Sequence, residues 1–523
     1  MKDKVIIYDT TLRDGMQGTE IHYNVEDKIQ IAKQLDAVGI DYIEGGFPMS
    51  SEKEAEFFRR IQKENLKNAR VAAFGSTRKP NAKPEDDAHI KALLDVETPT
   101  VTIVGKTWKA HVEKVLGTDL EENLRMVSDS IEYIKKHGRE VIFDLEHFFD
   151  GYKDDPEYAV KVLKAGSDAG ADCLCLCDTN GGVLPHEVIQ IMKELPQDKL
   201  ASIGLHFHND TGNATANSIV GVTEGARHVQ VTVNGWGERC GNANLCSVVP
   251  NLVLKMDYDA HIKPHIKHLT SLSRFVSEKA NIIPDKRQPY VGEAAFSHKA
   301  GQHVDVLSKA ETLMEHMDAS LVGNTRKILL SELAGKSTVV GKLQKYGNYT
   351  KQDSEVTELT KQLKQKEMEG YEYEAAEASF DLLIRQALGR YTPMLELNNY
   401  HLESFKTGTM PAKTVGRIFL RIDGLTMMGA SVGTGPVEVL DHALRNALSQ
   451  TYPWLDEISL IDYRVRVLNP EEASAAKVRV FITTTDGKQS WDTVGVSENI
   501  VEASWEATVA SLEFYYNNFI LDQ

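Results

Sequence analysis

Short apolar runs recur along the first half of the chain, and each breaks off into polar residues. They are Val5–Tyr8, Tyr42–Ile43, Val71–Phe74, Val101–Val104, Val141–Phe143, Cys173–Cys177, Ile203–Leu205 and Val229–Val233. Runs this short, with no polar alternation, predict strands buried on both faces. Between them, apolar residues fall at helical spacing over 25–38, 52–64, 120–136, 156–169 and 185–195. Asn24 ahead of Glu26 and Asp27 reads as a helix N-cap, and Pro156 and Pro185 suit first helical turns. Eight strand–helix alternations within about 260 residues predict an α/β fold, a (β/α)8 TIM barrel. An open doubly wound sheet is the alternative, but it does not predict reactive residues at every strand end.

The strand ends carry the chemistry. His206 and His208 lie two apart on one strand, so both imidazoles project from one face. Followed by Asn209 and Asp210, they point to a divalent metal site at the barrel mouth. Closure of the barrel would leave only strand eight between strands one and seven, so Asp14 could join them as a third ligand. Asn242, in the glycine-rich loop after strand eight, could complete the shell through an oxygen. Two imidazoles and a carboxylate suit Zn2+, Mn2+, Co2+ or Mg2+, and the residue types do not choose among them. Such a centre polarises a substrate carbonyl, and Arg13 would aim a guanidinium at the charge developing on its oxygen. Gln17, Asp144 and Thr179 are candidates for binding substrate, with Glu146 a candidate acid/base or positioning group.

Beyond the barrel, taken as residues 1–258, the pattern changes. A helix is expected over 265–280, then a polar cluster, Ser297 to His303, and a charge-dense helical stretch at 351–375. Residues 259–390 are read as helical linker subdomains. In residues 391–523, alternation over 417–422, 464–467, 477–484 and 490–497 predicts half-buried strands, and 436–449 and 499–514 read as amphipathic helices. This tail has the look of a two-fold strand–helix repeat, an α+β module for regulation or dimerisation.

With 523 residues, more than one domain is expected. A formal charge of −17 argues against general binding to nucleic acid or an anionic membrane, while leaving room for a local basic pocket. No apolar run approaches the ~20 residues of a membrane span, and the first residues lead straight into a strand, so a cytoplasmic location is expected. Five cysteines are too few for a disulfide framework. Cys173, Cys175 and Cys177 share one strand face; small apolar packing is the favoured reading and a thiolate metal cluster the alternative.

Three segments together, Asp9 to Gly15, His206 to Asp210 and Asn234 to Asn242, resemble the barrel enzymes that include 2-isopropylmalate, homocitrate and citramalate synthases and hydroxymethylglutaryl-CoA lyase. The tail, with Gly433 to Val437 and Trp491 to Ser497, resembles the regulatory domain of the synthases, which the lyase lacks. Phe143 to Tyr152, Phe74 to Arg78 and Cys177 to Gly182 resemble the (R)-citramalate synthase branch. The resemblance implies condensation of acetyl-CoA with pyruvate in a route to isoleucine, metal dependence, a homodimer, and isoleucine as effector at the tail. It implies His303 as a catalytic base. Met314 stands where relatives carry tyrosine, so His316 or Tyr290 would have to substitute for that hydroxyl. 2-Isopropylmalate synthase, using 2-ketoisovalerate, is the second reading, because pocket discrimination per methylene amounts to only about 1–3 kcal/mol. A non-catalytic ligand-sensing barrel is the third.

Overall fold

The computed structural model describes residues 3–298, 314–328, 336–468 and 476–521. Eight parallel strands close into a barrel: β1 (Ile6–Asp9), β2 (Tyr42–Gly46), β3 (Arg70–Ser76), β4 (Thr100–Lys106), β5 (Glu140–Glu146), β6 (Cys173–Asp178), β7 (Ser202–Phe207) and β8 (His228–Val231). Closure is made by β1, which pairs Tyr8 with Tyr42 on one side and Ile6 with His228 on the other. The sequence expectation of a (β/α)8 barrel therefore holds, strand for strand.

Alternation along each strand sorts side chains between two layers. Ile7, Ile43, Val101, Ile103, Phe143, Leu174, Leu205 and Val229 face outward into the main core beneath the helices. Tyr8, Ala72, Ile142 and the three cysteines form a separate cluster inside the bore. All three thiols are free and buried, and burial pushes Cys177 up to about 11. Protonated thiols in an apolar cluster match small apolar packing.

The helix signals act locally as their chemistry dictates. The Asn24 side chain accepts from Asp27 N, and the Asp27 carboxylate accepts from Asn24 N in return, closing a capping box on the helix Val25–Ala37. Pro156 and Pro185 each open a helix, at Pro156–Asp168 and Pro185–Glu194. No helix among the described residues is long and apolar enough to cross a membrane.

The chain divides into two compact units, residues 1–296 with 317–326, and residues 297–316 with 327–523. The second unit contains two three-stranded antiparallel sheets, Glu396–Phe405, Lys413–Ile422 and Leu425–Gly433, then Ser459–Val467, Val478–Thr485 and Ser490–Ser497. Each leads into a helix, Pro436–Leu448 and Ile500–Tyr515. The repeat extends to packing detail: a Cβ on Gly429 would run into the Ala443 carbonyl, and a Cβ on Gly495 into that of Ala503. Both halves thus need glycine where sheet and helix touch. The strands Glu396–Phe405 and Leu425–Gly433, most of whose residues are exposed, were not signalled by apolar alternation; the stretch 464–467, expected as half-buried, forms the end of the strand Ser459–Val467 with its residues exposed. The charge-dense stretch forms the helix Ser354–Glu369, and Val356, Leu359 and Leu363 bury one face of it in a core with Phe380 and Phe481. Its charged residues lie mostly on the opposite, exposed face.

One buried ion pair ties the first two barrel helices together. Lys28 is 0% exposed, with its Nζ 2.7 Å from Glu54 Oε2 and 4.7 Å from the Phe57 ring centroid. Removing the carboxylate strands a buried ammonium, so Glu54→Ala is expected to destabilise the chain by about 3–5 kcal/mol in urea unfolding. A loss below about 1 kcal/mol, the size of a surface pair, would show that Lys28 is not held as described.

Candidate active site

Just past the end of β1 the chain turns through Thr10 to Asp14, into the bore at the C-terminal mouth of the barrel. Asp14 Oδ2 lies 3.2 Å from His206 Nε2 and 3.8 Å from His208 Nε2. His206 is on β7 and His208 just beyond it, where an antiparallel bridge pairs it with Asn242. Asn242 Nδ2 donates to Asp14 Oδ2 at 2.9 Å. All four side chains are buried. The loop is shaped to bring Asn242 in: a Cβ on Gly237 would collide with its Oδ1.

Arg13 is held from three directions. Its Nε donates to Glu44 Oε2 at 2.6 Å, its Nη1 lies 3.5 Å from Asp14, and its guanidinium carbon sits 4.0 Å from the Phe74 ring centroid. Glu44 is 0% exposed and also accepts from the Tyr8 hydroxyl at 2.9 Å, while that hydroxyl lies 2.7 Å from Thr102 Oγ1. A second chain crosses the bore: Asp144 Oδ1 accepts from Gln230 Nε2 at 2.9 Å, and Gln230 Oε1 is 2.8 Å from His206 Nδ1.

The electrostatics follow from this crowding. Burial opposes ionisation of Asp14, but the Arg13 guanidinium beside it overcomes this and holds the carboxyl well below its usual range. Burial, with His206 beside it, lowers His208 to about 4, so its ring is neutral at pH 7. Burial and then Glu44 raise Asp144 to about 7. Among the described residues, Asp14 Oδ1, His208 Nδ1 and Asn242 Oδ1 have no hydrogen-bond partner; Asn242 turns its amide nitrogen toward Asp14 and His206 and its oxygen toward Gly237, so the oxygen expected as a fourth ligand faces away. An ionised carboxylate, a neutral imidazole and unmet lone pairs in one small space form the donor set of a divalent cation. Ligand atoms of Asp14, His206 and His208 lie within 4.8 Å of one another.

Comparison with known proteins agrees with this layout along the chain. Residues 4–276 match the HMGL-like family, 290–370 the homocitrate synthase post-HMGL domain-like family and 374–516 the LeuA allosteric (dimerisation) domain. The chain is 48% identical to an (R)-citramalate synthase of Aquifex aeolicus, with 98% of each chain covered. It is 45% identical to an (R)-citramalate synthase of Geobacter sulfurreducens, over 98% of this chain and 97% of the relative. A Synechocystis protein of the same name is 43% identical, over 98% and 96%. The chain belongs to the (R)-citramalate synthase family.

The other residues expected of a citramalate synthase-type site are distributed as follows. Glu146, at the end of β5, pairs with Lys106 at the end of β4. Thr179 follows β6, and its Oγ1 accepts from His147 N at 2.9 Å. Arg239 clasps the loops after β6, β7 and β8: it donates to both Asp210 oxygens, at 2.7 and 3.0 Å, and to the Thr179 carbonyl at 2.8 Å. Gln17 ends a short 3-10 helix, Gly15–Gln17, with its side chain exposed. His303 lies outside the described residues. Tyr290 donates to Asn251 Oδ1 at 2.9 Å within the first unit, whereas His316 belongs to the second. Glu44, Gln230, Lys106 and Arg239 were not singled out from sequence. Gln230 alternates with His228 in the eighth strand, and Glu44 follows the apolar pair Tyr42–Ile43 within the second; that placement was the available signal.

At the root of the Asp14 turn, Asp9 accepts from Thr11 N at 3.0 Å and Thr11 Oγ1 at 2.9 Å, and Thr11 Oγ1 accepts from Val233 N at 2.8 Å. Burial raises Asp9 to about 7. The folded chain therefore keeps a proton there that the unfolded chain loses near pH 4, so this group's contribution to stability declines as pH rises from about 4 to 7. Asp9→Asn mimics the protonated form. Its urea midpoint is expected to fall less between pH 5 and pH 8 than that of the unsubstituted chain, the difference amounting to a few kcal/mol, on the order of 1.4 per pH unit. Parallel declines in the two proteins would contradict the assignment.

Proposed function

We propose that this chain condenses acetyl-CoA with pyruvate and hydrolyses the thioester of the adduct, releasing (R)-citramalate and CoA. The observation that carries the reading is full-length similarity to (R)-citramalate synthases, joined to the buried Asp14, His206 and His208 set.

Asp14, His206 and His208 would hold a divalent cation. When bound, it supplies Lewis-acid polarisation of the keto group and an anchor for the adjacent carboxylate. Arg13 needs no reorganisation to help: Glu44 takes its Nε, Asp14 faces its Nη1 and Phe74 packs against its guanidinium, so the charge is already fixed beside the proposed cation. The remaining steps are proton movements and bond changes in the substrates. A base takes a methyl proton from acetyl-CoA, and the resulting carbanion carbon bonds to the keto carbon of pyruvate. The carbonyl pair moves to oxygen, beside Arg13, and is protonated. Water then adds to the thioester, the C–S bond breaks, and the thiolate leaves as CoA. We assign the methyl proton to His303, by resemblance, and place Glu146 and its Lys106 partner at the mouth as the acid/base pair positioned by the barrel. Gln17 and Thr179 are assigned to substrate binding.

The metal is proposed to be one of Mn2+, Mg2+, Zn2+ and Co2+, among which two imidazoles and a carboxylate do not choose. The chain is proposed to act in the cytoplasm as a homodimer. Support for the dimer is the match to the LeuA allosteric (dimerisation) domain and the exposure of Met428 and Val432, 59% and 64%, on one sheet face. Isoleucine is the proposed effector at the tail, in a route to isoleucine.

Thiol release from acetyl-CoA, assayed with pyruvate, 2-ketoisovalerate and 2-ketobutyrate, tests the reaction. Fast release with pyruvate, reduced at least about 100-fold by His208→Ala, is expected. Preference for 2-ketoisovalerate would make the enzyme a 2-isopropylmalate synthase instead, and no release with any keto acid would leave a sensing barrel. Isoleucine is expected to lower pyruvate-dependent release by the full-length enzyme. Inhibition by leucine alone, or by neither amino acid, would overturn the effector.

A further inference from the structure

The bore holds a buried amide that the reaction does not use. Gln230 on β8 is 1% exposed, stands opposite His206 in the β7–β8 register, and lies between His206 and Asp144. We propose that Gln230 is a positioning residue that fixes the ring and tautomer of His206, and that Asp144 acts on this amide rather than on substrate. The inference rests on reading Asp14, His206 and His208 as a cation site.

An amide side chain fits a site either way round, and its neighbours decide which. Asp144 Oδ1, 2.9 Å from Gln230 Nε2, takes the NH2 end. The carbonyl end therefore faces His206 Nδ1 at 2.8 Å. A carbonyl only accepts, so Nδ1 carries the proton and Nε2 is left with its lone pair. That lone pair looks across 3.2 Å at the Asp14 carboxylate. Asn242 Nδ2 lies 3.4 Å from that nitrogen and donates to the same Asp14 oxygen, and His208 Nε2 approaches the oxygen at 3.8 Å, so a carboxylate and two ring nitrogens converge where a cation would sit. Asp144 to Gln230 to His206 thus runs from β5 through β8 to β7 and ends where the cation is expected. Partners that orient a ligating histidine in this way typically change metal affinity about 10–100-fold when removed.

The test is Mn2+ binding to the full chain without substrates, followed by loss of the free-ion electron paramagnetic resonance signal. Gln230→Leu keeps the volume but removes the acceptor, and Mn2+ is expected to bind at least about tenfold more weakly. Combining Gln230→Glu with Asp144→Asn restores a polar chain: the new carboxylate accepts from His206 Nδ1 and from the new amide. Binding within about threefold of the unsubstituted chain is expected there. Gln230→Met carries the comparison if the leucine variant does not fold. Weakening of less than tenfold by the apolar variants would overturn the positioning role, because a packing role would tolerate them. Failure of the double variant to recover would overturn the assignment of the carbonyl as acceptor. Absence of Mn2+ binding to the unsubstituted chain, or unchanged binding on His208→Ala, would overturn the cation site itself, and the inference with it.

Discussion

A carboxylate buried at the mouth of a parallel barrel imposes its terms on everything near it. Asp14 has one oxygen shared among Asn242, His206, His208 and Arg13, and the other without a hydrogen-bond partner among the described residues. Burying an ionised carboxylate is costly unless positive charge compensates it. One guanidinium is present, itself shared with Glu44. A cation beside the shared oxygen would supply the missing charge, and barrel closure through β1 and β8 brings Asp14, His206 and His208 within reach of one another.

Around that demand the bore is organised as two orienting chains. Tyr8, Thr102 and Glu44 fix Arg13, while Asp144 and Gln230 hold His206. Both originate inside the barrel, where solvent screening is weak and an unpartnered polar group is expensive. Rigidity of this kind suits chemistry that depends on a polarised carbonyl, because the donors are already placed before charge develops. The outer clasp of Arg239 on Asp210 and Thr179 does for the loops what the inner chains do for the ligands.

The barrel was legible because parallel strands buried on both faces leave short apolar runs with polar endings, and because Asn24, Pro156 and Pro185 mark helix starts chemically. The cluster of Asp14, His206 and His208 was legible because its chemistry sits at strand ends, outside the apolar pattern. Glu44 and Gln230 were not, since within a buried strand nothing in the pattern separates the face toward the bore from the face toward the helices. In the tail the same limit works in reverse. Glu396–Phe405 and Leu425–Gly433 are mostly exposed, and they lack the half-buried alternation that announced Lys413–Ile422. Val356, Leu359 and Leu363 show that a charge-rich composition can still hide a packed helix face.

Asp14, His206 and His208 are proposed to share one divalent cation. The most direct measurement is anomalous X-ray diffraction from crystals of the full chain equilibrated with Mn2+ and pyruvate. The account predicts one strong anomalous peak within about 2.0–2.3 Å of Asp14 and both histidine Nε2 atoms. A peak at Asp144, Cys175 and Cys177, whose ligand atoms also lie within 4.8 Å of one another, with none at Asp14, would contradict it.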